Sequence, residues 1–220
     1  MSVRRLAPDN IQPQSFTFDS PSMVWVLEQI AKYPATRQAS AVIPLLWKAQ
    51  EQAGGWVQRA AIEEIGRILD MPYIRVLEVA SFYTMFNLAP VGRYFIQLCG
   101  TTPCMLCGAE ALKKVCLDKI GDERTVSSDG IFSWLEVECL GACCNAPMVQ
   151  INYDYYEDLT PESFALLLDN LKAGKPVKVG PQTARHTSEP EGAVKTLIDP
   201  TLYDGSRLGA WKKRFDGAPA

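Results

Sequence analysis

One histidine in 220 residues, His186, leaves almost nothing for imidazole chemistry, and its place near the C-terminal end reads as solvated or at an interface. No apolar run approaches the roughly 18 residues that a bilayer span needs. Neither a G-x-G-x-x-G nor a P-loop occurs, so nucleotide binding has no local signature. A net charge of −3 gives no electrostatic reason to expect nucleic acid. The opening MSVRRLAPDN carries two arginines with no apolar stretch behind them and an early Asp9, which predicts neither a secretory signal nor a mitochondrial presequence. With 47% hydrophobic and 21% charged residues the composition is that of an ordinary globular chain, so the unusual content lies elsewhere. It lies in seven cysteines, an odd number. Without a secretory signal a reducing compartment is expected, where thiols bind metals or do redox chemistry rather than cross-link a fold.

Punctuation along the chain predicts four parts: an extended arm over 1–15, a small helical bundle over 16–89, an α/β domain over 90–176 and an extended tail over 177–220. Ser20 followed by Pro21 reads as a cap with proline at the first helical position, and Met23, Val26, Leu27 and Ile30 form one apolar stripe. Ser40 opens a second helix with Ile43, Leu46 and Trp47 on one face, and Gly54-Gly55 ends it. Ala61, Ile65, Ile68 and Leu69, then Tyr73, Val76, Leu77 and Ala80, continue the pattern to either side of Asp70 and Pro72. After Pro90 the texture changes to strand (94–98), helix (Leu112, Val115, Cys116, Ile120), strand (132–137), strand (148–151) and a helix capped by Thr160-Pro161 and ended by Gly174. That order suits a thioredoxin-like layer. From Pro176 onward proline, glycine and charge dominate, which predicts a tail laid across a partner.

Two cysteine pairs follow two of these strands: Cys99 and Cys104 in LCGTTPCMLCGAE, and Cys139 and Cys143 in VECLGACCNAP. Four thiolates suit a [2Fe–2S] cluster, with each loop wrapping one iron. Gly100 and Gly141 are expected to let backbone N–H groups approach the sulfurs. Three other assignments use the same residues. Cys99, Cys104 and Cys107, with Cys139, fit the plant-type ferredoxin spacing. Cys104 and Cys107 form a C-x-x-C like that of thiol oxidoreductases. Cys104, Cys107, Cys139 and Cys143 could hold structural zinc in an interaction domain with no redox role. Spacing alone does not separate iron from zinc. Cys116 sits on an apolar helix face and reads as a buried hydrophobe, Cys107 as a loop neighbour, and Cys144 as pointing away from the site. Glu136 and Glu138 read as solvated or turn-forming rather than catalytic.

SFYTMFNLAPVG, CGTTPCMLCGA, VECLGACCNAPMVQI and YYEDLT, in this order, resemble the 24-kDa (NuoE-type) thioredoxin-like [2Fe–2S] subunit of respiratory complex I, over about Ile30 to Gly180. The AQEQAGGW turn is similar to bacterial and mitochondrial members. Cys107 and Cys144 depart from the pattern, since many members carry arginine and a non-cysteine residue there. The resemblance implies an α/β fold with an N-terminal helical bundle before the [2Fe–2S] ferredoxin domain, and one cluster on Cys99, Cys104, Cys139 and Cys143. It implies an electron-transfer subunit of NADH:quinone oxidoreductase, a proton-translocating assembly, with no complete active site on this chain. FMN and NADH are then expected on a partner flavoprotein subunit, near the cluster, with other peripheral-arm subunits as further partners. The same module serves NAD-reducing hydrogenases and NAD-linked formate dehydrogenases, the alternative setting. The expected location is the cytoplasmic face of a bacterial inner membrane, or the matrix side for a mitochondrial form, as a peripheral subunit.

Overall fold

The computed structural model describes residues 4–190, 192, 196–202 and 204, so the rest of the expected tail lies outside the described residues. Four helices come first: α1 (Ser20–Ala31), α2 (Val42–Gln52), α3 (Arg59–Leu69) and α4 (Tyr73–Phe82). There follow β1 (Tyr94–Cys99), α5 (Thr102–Leu106), α6 (Ala109–Lys119), β2 (Phe132–Val137), β3 (Val149–Ile151), β4 (Asp154–Glu157), α7 (Pro161–Lys172) and β5 (Gly180–Pro181).

The helix stripes meet in one core built on Val26, Leu45, Leu46, Ile62, Ile65, Val76 and Phe86. The cap of α1 differs from expectation by one residue. Asp19 accepts a hydrogen bond from Ser22 N–H at 2.8 Å, so Ser20 is the first helical residue and Pro21 follows it. Asp70 ends α3 in the left-handed region at φ 52°, as a short polar residue can. The AQEQAGGW turn is locked from beneath. Gln50 is buried, donates to Met85 O at 3.1 Å and accepts from Asn87 N–H at 2.7 Å, while Asn87 donates to Gly55 O at 2.9 Å. This network satisfies buried polar groups and ties the turn to the segment that leads into the sheet. The arm is docked on the bundle rather than free of it. Ala7 N–H donates to Leu88 O at 2.8 Å, and the Arg4 guanidinium donates to the carbonyls of Ala80, Ser81, Tyr83 and Phe86. Those carbonyls include ones that the end of α4 leaves without intrahelical partners.

Gly92 joins the bundle to the sheet. Its N–H donates to the buried Ser133 hydroxyl at 2.8 Å, and a methyl group on it would overlap the Phe132 backbone. The five strands run in the order β2-β1-β3-β4-β5. β1 and β2 are parallel, from Tyr94↔Phe132 to Cys99↔Val137, joined through the α6 crossover. β3 pairs antiparallel with both β1 and β4. β4 and β5 escape the sequence reading. β4 is a short acidic–aromatic run following β3 across a tight turn at Asn152 (φ 54°), whose side chain accepts from Phe95 N–H at 2.9 Å. β5 is two residues at the start of the expected tail, paired parallel with β4. Thr160 caps α7 with a reciprocal pair of bonds to Ser163. A second core gathers Ile96, Leu98, Trp134, Leu112, Cys116, Phe164 and Leu168 from the sheet, α6 and α7.

Candidate metal centre

Because β1 and β2 are parallel neighbours, the segments that follow them leave the sheet at the same end. Cys99 closes β1 and Cys139 lies two residues past the end of β2. The first segment is not the simple loop expected. Thr102–Leu106 winds into a short helix with Pro103 in its first turn, held by Met105 N–H to Thr101 O at 2.9 Å and Cys107 N–H to Pro103 O at 3.1 Å. Five residues are too few for an apolar stripe to announce a helix. This helix turns Cys104 inward, 1% exposed, and leaves Met105, Leu106 and Cys107 outside. Cys99 is buried to the same degree.

The second segment is open to solvent at Cys139 and Cys143, whose sulfurs lie 3.4 Å apart. Gly141 turns the chain at φ 86° and donates its N–H to Cys139 Sγ at 3.4 Å, as its glycine predicted. Gly100 does something else. Its N–H goes to Val137 O at 3.2 Å, and a methyl group on it would overlap the Glu136 carboxylate, which is ion-paired with Lys113 at 2.7 Å. Glu136 is therefore a strand residue with a cationic partner, not a turn-former.

The two segments are tied at their bases, where Gly100 N–H donates to Val137 O, and Thr101 Oγ1 lies 3.2 Å from Cys99 Sγ. Tyr155 Oη, on β4, donates to Leu140 O at 2.7 Å and holds that loop down. These contacts split the thiol acidities within each pair. Burial works against Cys99, yet hydrogen bonds from Thr101, Cys104 and the Leu140 backbone hold it below the usual thiol value. Burial, with Cys99 as neighbour, pushes Cys104 up to about 12. The Gly141 N–H, then Cys143, lowers Cys139, and the bond to Cys139 raises Cys143. One thiol of each pair is thus the more acidic of the two.

Cys99 and Cys104 are buried and Cys139 and Cys143 exposed on segments that leave the same end of the sheet, while Cys107 and Cys144 are also exposed. Cys144 directs its thiol to Asn145 Oδ1 at 3.1 Å. Cys116 is fully buried in the core and burial alone pushes its thiol up to about 12. His186 is exposed in the segment after β5. Among the described residues no three His, Cys, Asp or Glu side chains gather as around a single ion. The paired sulfurs of the second segment lie next along the sheet end to the buried Cys99 and Cys104 of the first. Sequence reasoning assigned no role to Thr101 or Tyr155, although both fall inside the motifs that carry the resemblance and a hydroxyl beside a cysteine was a usable signal.

The sequence model of the thioredoxin-like [2Fe-2S] ferredoxin family matches residues 26–172. An NADH-quinone oxidoreductase subunit of Rhizobium meliloti (strain 1021) is 55% identical over 204 residues, covering 91% of this chain and 74% of that protein. A mitochondrial protein of Dictyostelium discoideum, NADH dehydrogenase [ubiquinone] flavoprotein 2, is 45% identical over 195 residues, covering 88% of this chain and 79% of that one. Among solved structures, an NAD+-reducing [NiFe]-hydrogenase in the air-oxidized state superposes with a TM-score of 0.52 at 23% identity, covering 60% of this chain and 23% of that one, a likeness of fold. With the match running through both cysteine loops and most of the bundle, the chain belongs to the thioredoxin-like [2Fe-2S] ferredoxin family.

Proposed function

We propose that this chain is the [2Fe–2S] electron-transfer subunit of NADH:quinone oxidoreductase, with Cys99, Cys104, Cys139 and Cys143 as the cluster ligands. The observation that carries it is the placement of two thiol pairs on separate segments that leave one end of the sheet, in a chain 55% and 45% identical to subunits of that enzyme. Cys99 and Cys104 would hold one iron and Cys139 and Cys143 the other. The cluster, when bound, supplies one-electron transfer, which none of this chain's side chains provides.

The chain's own residues set the conditions for that transfer. Four thiolates around an iron–sulfur core carry net negative charge, and reduction adds one unit more. The Gly141 N–H and the Thr101 hydroxyl face those sulfurs and offset part of that charge. The core around Cys99 and Cys104 excludes water from one side. These relatives point to an oxidoreductase assembly, so FMN and NADH belong on a partner flavoprotein subunit and the cluster exchanges electrons with that flavin. The bundle and the cluster domain serve as separate parts, the bundle for docking to other peripheral-arm subunits, and the segment beyond 177 first completes the sheet of the cluster domain through β5 and then serves for docking. No helix among the described residues is long and apolar enough to cross a membrane, which agrees with a peripheral place in the assembly. We place that assembly's arm on the cytoplasmic face of a bacterial inner membrane.

Anaerobic purification tests the proposal. The protein should be reddish-brown, carry about two irons and about two labile sulfides per chain, and give a one-electron EPR signal on reduction. Stoichiometric zinc without iron would overturn the electron-transfer reading and leave the interaction domain.

A further inference from the structure

The first residues of the expected tail fold back on their own chain. β5 pairs with β4 at Tyr156↔Gly180 and Glu157↔Pro181, and Gln182 N–H continues the ladder to Glu157 O at 2.9 Å. The chain then crosses the base of the second cysteine loop. Arg185, whose side chain is 16% exposed, donates from Nη1 to the carbonyl of Cys144 at 2.7 Å. Its Nε lies 3.3 Å from Asp158 Oδ2, within ion-pair distance yet buried and misaligned for a hydrogen bond. The Asp158 carboxylate is 7% exposed and also accepts from Asn145 Nδ2 at 3.3 Å and Thr183 Oγ1 at 3.2 Å. Asn145 is itself buried. It donates to Thr187 O at 2.9 Å, accepts the Cys144 thiol, and takes Asp158 N–H on its own carbonyl at 2.8 Å.

A guanidinium and a carboxylate taken this far out of water are not an ordinary surface pair. A buried ion pair adds little net stability, but losing either partner strands the other's charge. What the arrangement does supply is location: the guanidinium is fixed on the peptide carbonyl next to Cys143. We propose that Arg185 is a positioning residue for the [2Fe–2S] site. It clamps the Cys139–Cys143 loop through the Cys144 carbonyl and sets a permanent positive charge beside it, which favours the reduced state, with Asp158 as counter-ion. Resting on the ligand assignment above, this extends the functional unit past α7, beyond the residues of the family match.

The test compares full-length wild type, Arg185→Gln, Arg185→Lys and Asp158→Asn, by EPR-monitored redox titration and by bleaching of cluster absorbance under a chelator. Removing the cation should lower the reduced-to-oxidised ratio at a fixed potential by about threefold to tenfold, tenfold being about 59 mV for one electron. Removing the anion should raise that ratio. Arg185→Gln should bleach several times faster than wild type, whereas Arg185→Lys should recover the ratio but not the slow bleaching, since an ammonium lacks the forked geometry. A loop merely loosened would move both charge variants in the same direction, and that result overturns the inference. So does an Arg185→Gln protein indistinguishable from wild type. If Arg185→Gln does not accumulate, Asp158→Asn decides alone: a raised ratio supports the inference, and an unchanged or lowered one ends it. Wild type that loads no iron and sulfide would fail earlier, at the ligand assignment itself.

Discussion

Cys99 and Cys104 are sealed in the sheet core, each 1% exposed, whereas Cys139 and Cys143 stand in solvent on a loop held by main-chain contacts. The first pair packs with Ile96, Leu98, Leu112 and Met148, so folding fixes it before any metal arrives. The second pair owes its shape to Gly141, to Tyr155 on the Leu140 carbonyl, and to the segment after β5. One half of the site is therefore a by-product of core packing, and the other half has to be assembled by polar contacts that the core does not need.

That difference can be broken most directly at the sulfurs. Cys104→Ala and Cys139→Ala should each lower iron and sulfide content more than tenfold, while Cys107→Ala and Cys144→Ala leave it unchanged, by metal and sulfide analysis. Stability then separates the pairs. Cluster-free Cys104→Ala should lose about 1–2 kcal/mol in urea unfolding, and Cys139→Ala less than about 0.5 kcal/mol. Equal losses would mean that the buried pair is not part of the core. In the cluster-free protein, alkylation followed by mass spectrometry should modify Cys107, Cys139, Cys143 and Cys144 about a hundredfold faster than Cys99, Cys104 and Cys116. Rapid labelling of Cys104 would show that metal, not packing, shields it.

Two glycines sharpen the contrast through the backbone. Gly92→Ala drives a methyl group into the Phe132 backbone at the entrance to β1 and should cost about 2–4 kcal/mol of global stability. Gly141→Ala has open space but a φ of 86°, and should cost about 1–2 kcal/mol, seen chiefly as faster cluster loss. A last effect is alkaline. Burial raises the Cys116 thiol to about 12 in the fold, above its unfolded value of about 8.5. Its contribution is therefore complete below about pH 8.5 and drains away as pH climbs toward about 12. Between about pH 8 and pH 10 the wild type should lose about 1–2 kcal/mol more than Cys116→Ala, measured by urea unfolding.

The parts legible in the sequence were those written in repeated local signals. The α1–α4 stripes, the Gly54-Gly55 stop, the Thr160 cap and the runs of β1 and β2 each repeat one period or one turn chemistry. The four thiols were legible as pairs because each pair fits within a few residues. The misses have physical reasons. α5 is shorter than two turns, β4 mixes acids with tyrosines, and β5 is two residues whose only claim to be a strand is its partner. Gly100 serves the Glu136 side chain across the β1–β2 ladder rather than a sulfur, and Arg185 meets Cys144 over 41 positions. Such contacts leave no trace in spacing.

Cys99 stands opposite Val137 at the last rung of a parallel ladder, so the two sulfur-bearing segments set out from the sheet at the spacing of adjacent strands, about 4.8 Å. Hydrogen bonds between main chains do not stretch to follow a single added electron. A redox centre anchored this way changes its oxidation state with little movement of its surroundings, and a small reorganisation cost is what lets a carrier pass charge on quickly instead of trapping it.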